Sequence, residues 1–199
     1  MNNKIDLYTL EETVFKSSTK KIIESLVLQI EGVDTLRPGM IETPDRVCRA
    51  LDELFDGYKT NIDSLFKVFD GEGTDQIVSI KDHKTTSFCE HHCLPFEISV
   101  DVAYLPNKKA IGASKLPRLV NAYAHRFQIQ ERIAEQVAHT LMDKLKPKGV
   151  CVIIHGSHAC MKCRGVKSDS IMVNSIMLGA FRKNQASRME VLSLLGYKN

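Results

Sequence analysis

Glu97-Ile-Ser-Val-Asp-Val-Ala-Tyr-Leu105 decides the architecture. Ile98, Val100 and Val102 alternate with Ser99 and Asp101, the period of two that sends apolar side chains to one face of a strand and polar ones to the other. Pro106-Asn107 ends the run. Residues 76–80 before it, and 149–154 and 171–181 after it, read as further strands. Between them the period changes. Residues 114–126 and 129–145 read as helices, with Ile129, Ile133, Val137 and Leu141 on one face of the second, and Pro147 and Gly149 stop it. Strands flanking a helical pair predict an α+β fold with an antiparallel sheet.

Outward from this segment, residues 8–31 carry Leu10, Val14, Ile22, Ile23, Leu26, Val27 and Ile30 at helical spacing. Glu42-Thr43-Pro44-Asp45-Arg46 is a helix start, with Thr43 as N-cap, Pro44 at the first helical position and Asp45 in the first turn. Val47, Ala50, Leu51, Leu54 and Phe55 then form an apolar face. Asp70-Gly-Glu-Gly-Thr74 reads as a loop, dividing the chain into a helical region, 1–72, and a main domain, 73–199. Ser187-Arg-Met-Glu190 has capping-box spacing, and a short helix continues through 191–195.

The 199 residues are 43% hydrophobic and 26% charged, enough to bury a core. A net charge of +3 with interspersed signs argues against a nucleic-acid or membrane partner. No apolar run approaches a membrane span, and Met-Asn-Asn-Lys-Ile-Asp lacks the opening of a signal peptide, so a cytoplasmic location is expected. Reduced thiols are the rule there, which makes metal binding or catalysis the leading use of the six cysteines.

Eight of the thirteen Cys and His residues fall in two windows, Cys89-Glu90-His91-His92-Cys93 and His155-Gly-Ser-His158-Ala-Cys160-Met-Lys-Cys163. Thiolate and imidazole are preferred zinc ligands. Two metal readings compete with a third in which no metal binds. A closed structural site would use Cys89, Cys93, Cys160 and Cys163; an open catalytic site would use two cysteines, one histidine and a water. The surplus histidines favour the open site. Cys89 and His92, three apart, share one side of a turn, and His158 and Cys160, two apart, would share one face of a strand. Cys93 and Cys163 are more simply packing residues, as are Cys48 and Cys151 within apolar patterns. His83 and His139 read as surface residues.

A second constellation is Gly112-Ala-Ser114-Lys115-Leu-Pro-Arg118. Ser114 reads as the N-cap, with Lys115 and Arg118 a turn apart on the new helix; a helix start with basic side chains is an anion site. Arg46 and Arg49 repeat the theme earlier, Lys162 stands within the second Cys/His window, and Arg164 and Lys167 follow it. Gln128-Ile-Gln130-Glu131-Arg132 opens a long helix with an acid, which by itself is a solvated first turn favoured by the dipole.

Cys89-Glu-His-His, Gly112-x-Ser-Lys-x-x-Arg118, Gln128-x-Gln-Glu-Arg132, His158-x-Cys-Met-x-x-Arg-Gly165 and Ser187-Arg-x-Glu190, in this order, resemble GTP cyclohydrolase I over residues 42–195. The resemblance implies the tunnelling fold, an antiparallel sheet backed by two helices, and a homodecamer with active sites between subunits. It implies Zn2+ on Cys89, His92 and Cys160 with water in the fourth position. GTP would be converted to 7,8-dihydroneopterin triphosphate and formate. His158 would protonate purine N7, His91 would assist ribose opening, Ser114 would lie near the sugar, and Glu90 belongs to the same catalytic motif. Glu131, helped by Gln130, would read guanine. Lys115, Arg118 and Arg164 would bind the triphosphate, joined by Arg46 and Arg49.

Three residues depart from the family pattern. His155 stands where a carboxylate is usual and, three residues before His158, would alter that region's charge. Cys93 and Cys163 add thiols near the metal, open to wrong coordination or oxidation. Two other readings are a same-fold nitrile reductase of deazaguanine synthesis, with a nucleophilic cysteine and NADPH, and a zinc-stabilised binding module without turnover. The Cys-Glu-His-His and His-x-Cys pairing argues against the reductase.

Overall fold

A computed structural model describes residues 12–70 and 75–197. Leu10 and loop residues 71–74 lie outside them. The chain forms two compact units, Met1–Leu54 and Phe55–Asn199. In the first, α1 (Glu12–Glu31) packs on α2 (Thr43–Leu54), and Lys20 Nζ pairs with Asp45 Oδ2 at 2.7 Å. Thr43, read as the cap, is already the first helical residue of α2. Pro44 is buried, and Asp45 lies in the first turn as expected. Among the side chains of α1, Ile22, Leu26 and Ile30, at four-residue spacing, are exposed.

In the second unit, β2 (Val78–Cys89), β3 (Pro95–Leu105), β5 (Phe127–Gln128), β6 (Gly149–His158) and β7 (Met172–Gly179) form one sheet in the order β5-β2-β3-β6-β7. It is antiparallel apart from the two-residue pairing of β5 with β2. A separate ribbon joins β1 (Val68–Asp70) to β4 (Lys109–Ile111).

Val100, Val102 and Tyr104 of β3 and Val150, Val152 and Ile154 of β6 face the main core. There they meet Leu116, Leu119 and Val120 of α3 (Lys115–Ala124) and Ile133, Val137 and Leu141 of α4 (Gln130–Leu145). Each Leu, Ile or Val side chain so enclosed contributes roughly 1.5–3 kcal/mol. The α+β fold and its two backing helices are those expected from the sequence.

Several boundaries differ. β2 extends nine residues beyond the expected strand, through Lys81-Asp-His-Lys-Thr-Thr-Ser-Phe-Cys89, with a bulge between Ile80 and His83 where Asp82 takes φ 54°. Polar residues on both faces hide its period. His83, expected at the surface, is half-buried with Nε2 2.8 Å from Asn121 Oδ1. β6 runs on to His158, and β7 stops at Gly179, where φ is +60° and a Cβ would lie 2.2 Å from Lys148 O, before a helical turn, α6 (Ala180–Lys183). The last helix, α7 (Gln185–Leu194), is capped by Asn184, whose Oδ1 accepts from the Ser187 N–H at 2.9 Å. Ser187 is therefore inside the helix and not its capping-box cap.

The sheet's other face is also partly covered. Ala103, Cys151 and Ile153 pack with Phe181, Val191 and Leu195 in a second, smaller core.

Candidate active site

The two Cys/His windows meet at one end of the sheet. Cys89 is the last residue of β2 and is buried. The chain then turns tightly: the N–H groups of His92 and Cys93 both bond back to Cys89 O, and the Cys89 N–H reaches Leu94 O. Cys93 takes the left-handed conformation this turn needs, φ 53°. β6 ends at His158, two strands away, and a short helical turn, α5 (Ala159–Lys162), brings Cys160 alongside. Cys160 thus stands on a helical turn and not, as expected, on one strand face with His158.

The ligand atoms of Cys89, His92 and Cys160 all lie within 4.8 Å of one another. Around a tetrahedral zinc with bonds of ~2.0–2.3 Å, ligand atoms sit about 3.3–3.8 Å apart, so a small contraction would close the group on an ion. Cys89 Sγ is 3.5 Å from His92 Nδ1 and 3.7 Å from His91 Nδ1. Burial, and next the Cys89 thiol beside it, push the Cys160 thiol up from its ordinary value, and a bound cation would reverse both costs. The four-cysteine alternative finds no support in this geometry. Cys93 and Cys163 are exposed, and the Cys163 thiol donates to Ala159 O at 2.8 Å.

The remaining candidates divide by position. Glu90 receives Arg132 in a two-pronged ion pair, 2.5 and 3.0 Å, and this contact holds its carboxyl below the usual carboxylate range. The pair ties the ligand turn to α4. His158 lies flat on Phe96, ring centroids 4.4 Å apart at 8°. Burial lowers the imidazole from its ordinary value, opposed by the charge of Glu131 nearby. Glu131 itself is exposed, whereas Gln130, beside it in the sequence, is buried. Arg164 Nη1 is 3.1 Å from His92 Nε2.

Ser114, Lys115 and Arg118 are elsewhere. They follow β4, and the Ile111 N–H donates to the Tyr104 hydroxyl at 3.3 Å. Tyr104 is eight residues along β3 from Phe96, the partner of His158, a separation of about 26 Å of strand. The start of α3 therefore lies toward the end of the sheet opposite the Cys/His group. Ser114 occupies the cap position but makes no capping hydrogen bond. Arg46, paired with Glu42 at 2.5 Å, and Arg49 are exposed on α2 in the first unit.

His155 does not act on His158 from three residues away, as the sequence suggested. It points to the other face of the sheet, where Nε2 is 2.7 Å from the Tyr197 hydroxyl. Tyr197 in turn donates to Asp101 Oδ2 at 2.8 Å, and the Asp82 N–H donates to Asp101 Oδ1 at 2.7 Å. Asp101 and Tyr197 escaped the sequence reading, as did Phe96. Only the polar residue in the strand pattern, Asp101, hinted at this network.

The model of the family described as GTP cyclohydrolase I matches residues 19–196. GTP cyclohydrolase 1 of Leptospira biflexa serovar Patoc is 43% identical over 179 residues, 88% of this chain and 97% of the relative. The protein of the same name from Saccharomyces cerevisiae is 46% identical over 172 residues, 84% of this chain and 70% of the relative. Among solved structures, Escherichia coli dihydroneopterin aldolase in complex with neopterin is similar over 50% of this chain and 98% of its own, at 15% identity and a TM-score of 0.38.

Proposed function

The chain belongs to the GTP cyclohydrolase I family, and on that premise we propose that it hydrolyses GTP to 7,8-dihydroneopterin 3'-triphosphate and formate at a zinc centre formed by Cys89, His92 and Cys160. The observation that carries the reading is the convergence of two thiols and an imidazole from separate windows within 4.8 Å. The donor set fits zinc, and three protein ligands leave the fourth position open. Zinc bound there supplies a Lewis acid and lowers the pKa of a coordinated water to about 7.

The chain's own groups do the rest. His158 protonates purine N7, which makes C8 electrophilic. Two hydrolyses at C8 consume two waters and release formate, and closure of the new ring returns one water. Burial lowers the His158 imidazole from its ordinary value, which favours the neutral ring at rest and makes the protonated ring a stronger acid toward N7. His91, beside Cys89, assists ribose opening, with Ser114 near the sugar. The Glu90–Arg132 pair keeps the ligand turn in register with α4. Glu131 accepts from guanine N1–H and the exocyclic amine, a donor pair adenine lacks.

Lys115, Arg118 and Arg164, with Arg46 and Arg49, neutralise the triphosphate. Because the start of α3 is far from the Cys/His group in one chain, Ser114, Lys115 and Arg118 reach the substrate from a neighbouring subunit. This supports a homodecamer with sites between subunits, an arrangement in which each chain gives one half of a site to each of two neighbours.

Zinc-loaded protein incubated with GTP should release formate and yield a fluorescent pterin on oxidation. Full zinc occupancy without either product would overturn the proposal. Glu131→Ala should retain zinc yet lose turnover of GTP by at least ~100-fold.

A further inference from the structure

Gln130 was expected to help Glu131 read guanine, but both polar atoms of its side chain are already engaged within the protein. It is 1% exposed at the start of α4. Its Nε2 lies 3.1 Å from Ile154 O, 3.1 Å from Met172 O and 2.7 Å from Asn174 Oδ1. Backbone carbonyls only accept, so the amide cannot turn over without setting its own oxygen against them. That fixes Oε1 toward His158, 2.9 Å from Nε2. An amide oxygen has no proton to give, so Nε2 must carry one. With Nε2 engaged and Phe96 stacked on the ring, Nδ1 is the ring nitrogen of His158 without a hydrogen-bond partner among the described residues.

Gly156 is part of the same device. A Cβ there would lie 1.9 Å from Gln130 Oε1 and 3.2 Å from His158 Nε2. β6 passes close under the amide only because residue 156 has no side chain. One buried glutamine thus joins α4, β6 and β7 to the imidazole.

We propose that Gln130, admitted by Gly156, is a positioning residue for His158: it holds the Nε2–H, sets the plane of the ring, and leaves Nδ1 as the nitrogen that serves the substrate. This rests on the reading of His158 as the proton-transfer group. A misheld ring slows chemistry without weakening binding. Partners that orient a metal-ligating histidine are worth roughly 10–100-fold in affinity or activity, and a loss of that order is expected for a proton-transfer imidazole held the same way.

The test uses zinc-loaded enzyme. Gln130→Met removes the amide at similar volume, and Gly156→Ala displaces it while keeping it in the chain. Both should bind zinc, lower kcat by about 10–100-fold, and leave KM and the preference for GTP over inosine triphosphate, which lacks the exocyclic amine, unchanged. A rise in KM with loss of that preference would make Gln130 a substrate reader and overturn the proposal. Solid-state 15N spectra of histidine-labelled wild-type enzyme need no variant to fold. With the His158 signals assigned by His158→Ala, they should show the Nε2–H tautomer, and the Nδ1–H tautomer would equally overturn it. Full turnover by His158→Ala would instead remove the underlying reading, while the spectra still report what Gln130 does to the ring.

Discussion

At the residue scale, the six cysteines have four different fates. Cys89 and Cys160 join His92, Cys48 is half-buried, Cys151 is buried, and Cys93 and Cys163 are exposed. The double variant Cys93→Ala, Cys163→Ala should keep one zinc per chain and its activity, whereas Cys160→Ser should lose both; metal analysis of the purified variants decides it. Loss of zinc from the double variant would revive the four-cysteine site. Thiol chemistry gives an independent check. Burial, and next the charge of Asp101, push the Cys151 thiol up to about 12. At pH 8 Cys151 should resist an alkylating reagent that modifies Cys93 and Cys163, because only the thiolate reacts. Mass mapping showing rapid labelling of Cys151 in folded protein would contradict its burial.

At the scale of elements, the seam between β3, β6 and the C-terminal segment is the place to test stability. Asp101 is 3% exposed and depends on the Tyr197 hydroxyl and the Asp82 N–H. Tyr197→Phe removes one donor from a buried carboxylate and the partner of His155, and should cost about 1–3 kcal/mol, read as a shift in the urea midpoint. The same seam makes stability pH-dependent at the alkaline end. Burial and the Asp101 hydrogen bond raise Tyr197 above its ordinary 10.0, and Cys151 is raised from 9.0. A group raised on folding contributes stability that is present below its unfolded value and is lost as pH rises toward the folded one. The urea midpoint should therefore fall between about pH 9 and pH 12, and Cys151→Ala should remove part of that fall. A midpoint flat across that range would show that the seam is more hydrated than its geometry implies.

For the whole molecule, the separation of the α3 start from the Cys/His group makes a prediction about assembly. The proposed homodecamer, ten chains of 22.4 kDa, should give a light-scattering mass of about 224 kDa. Co-expression of Cys160→Ser with Arg118→Ala should restore activity, because some sites then combine an intact metal half from one chain with an intact helix from another. Random mixing would leave roughly a quarter of sites intact. If each chain housed its own site, the mixture would be as inactive as the separate variants.

The α+β class, the two backing helices and the residue types able to form a metal centre follow from the order of residues alone. Alternating apolar residues in residues 97–105 and the apolar face of α4 report burial directly, because taking apolar surface out of water is what holds those faces against a core. The order of five motifs marked the family. Relations between distant segments come only from the folded chain. Strand pairing chose His92 and Cys160 to join Cys89 over Cys93 and Cys163, although all four thiols have workable spacing. It sent His155 to the opposite face of the sheet from His158, since neighbouring strand positions alternate. It buried Gln130 beneath Gly156, next to an exposed Glu131, a difference that two adjacent polar letters cannot express. It also set Lys115 and Arg118 far from the Cys/His group. Spacing along a chain constrains only what one element can bring together; a site built from the ends of several elements is fixed by register, turn geometry and packing.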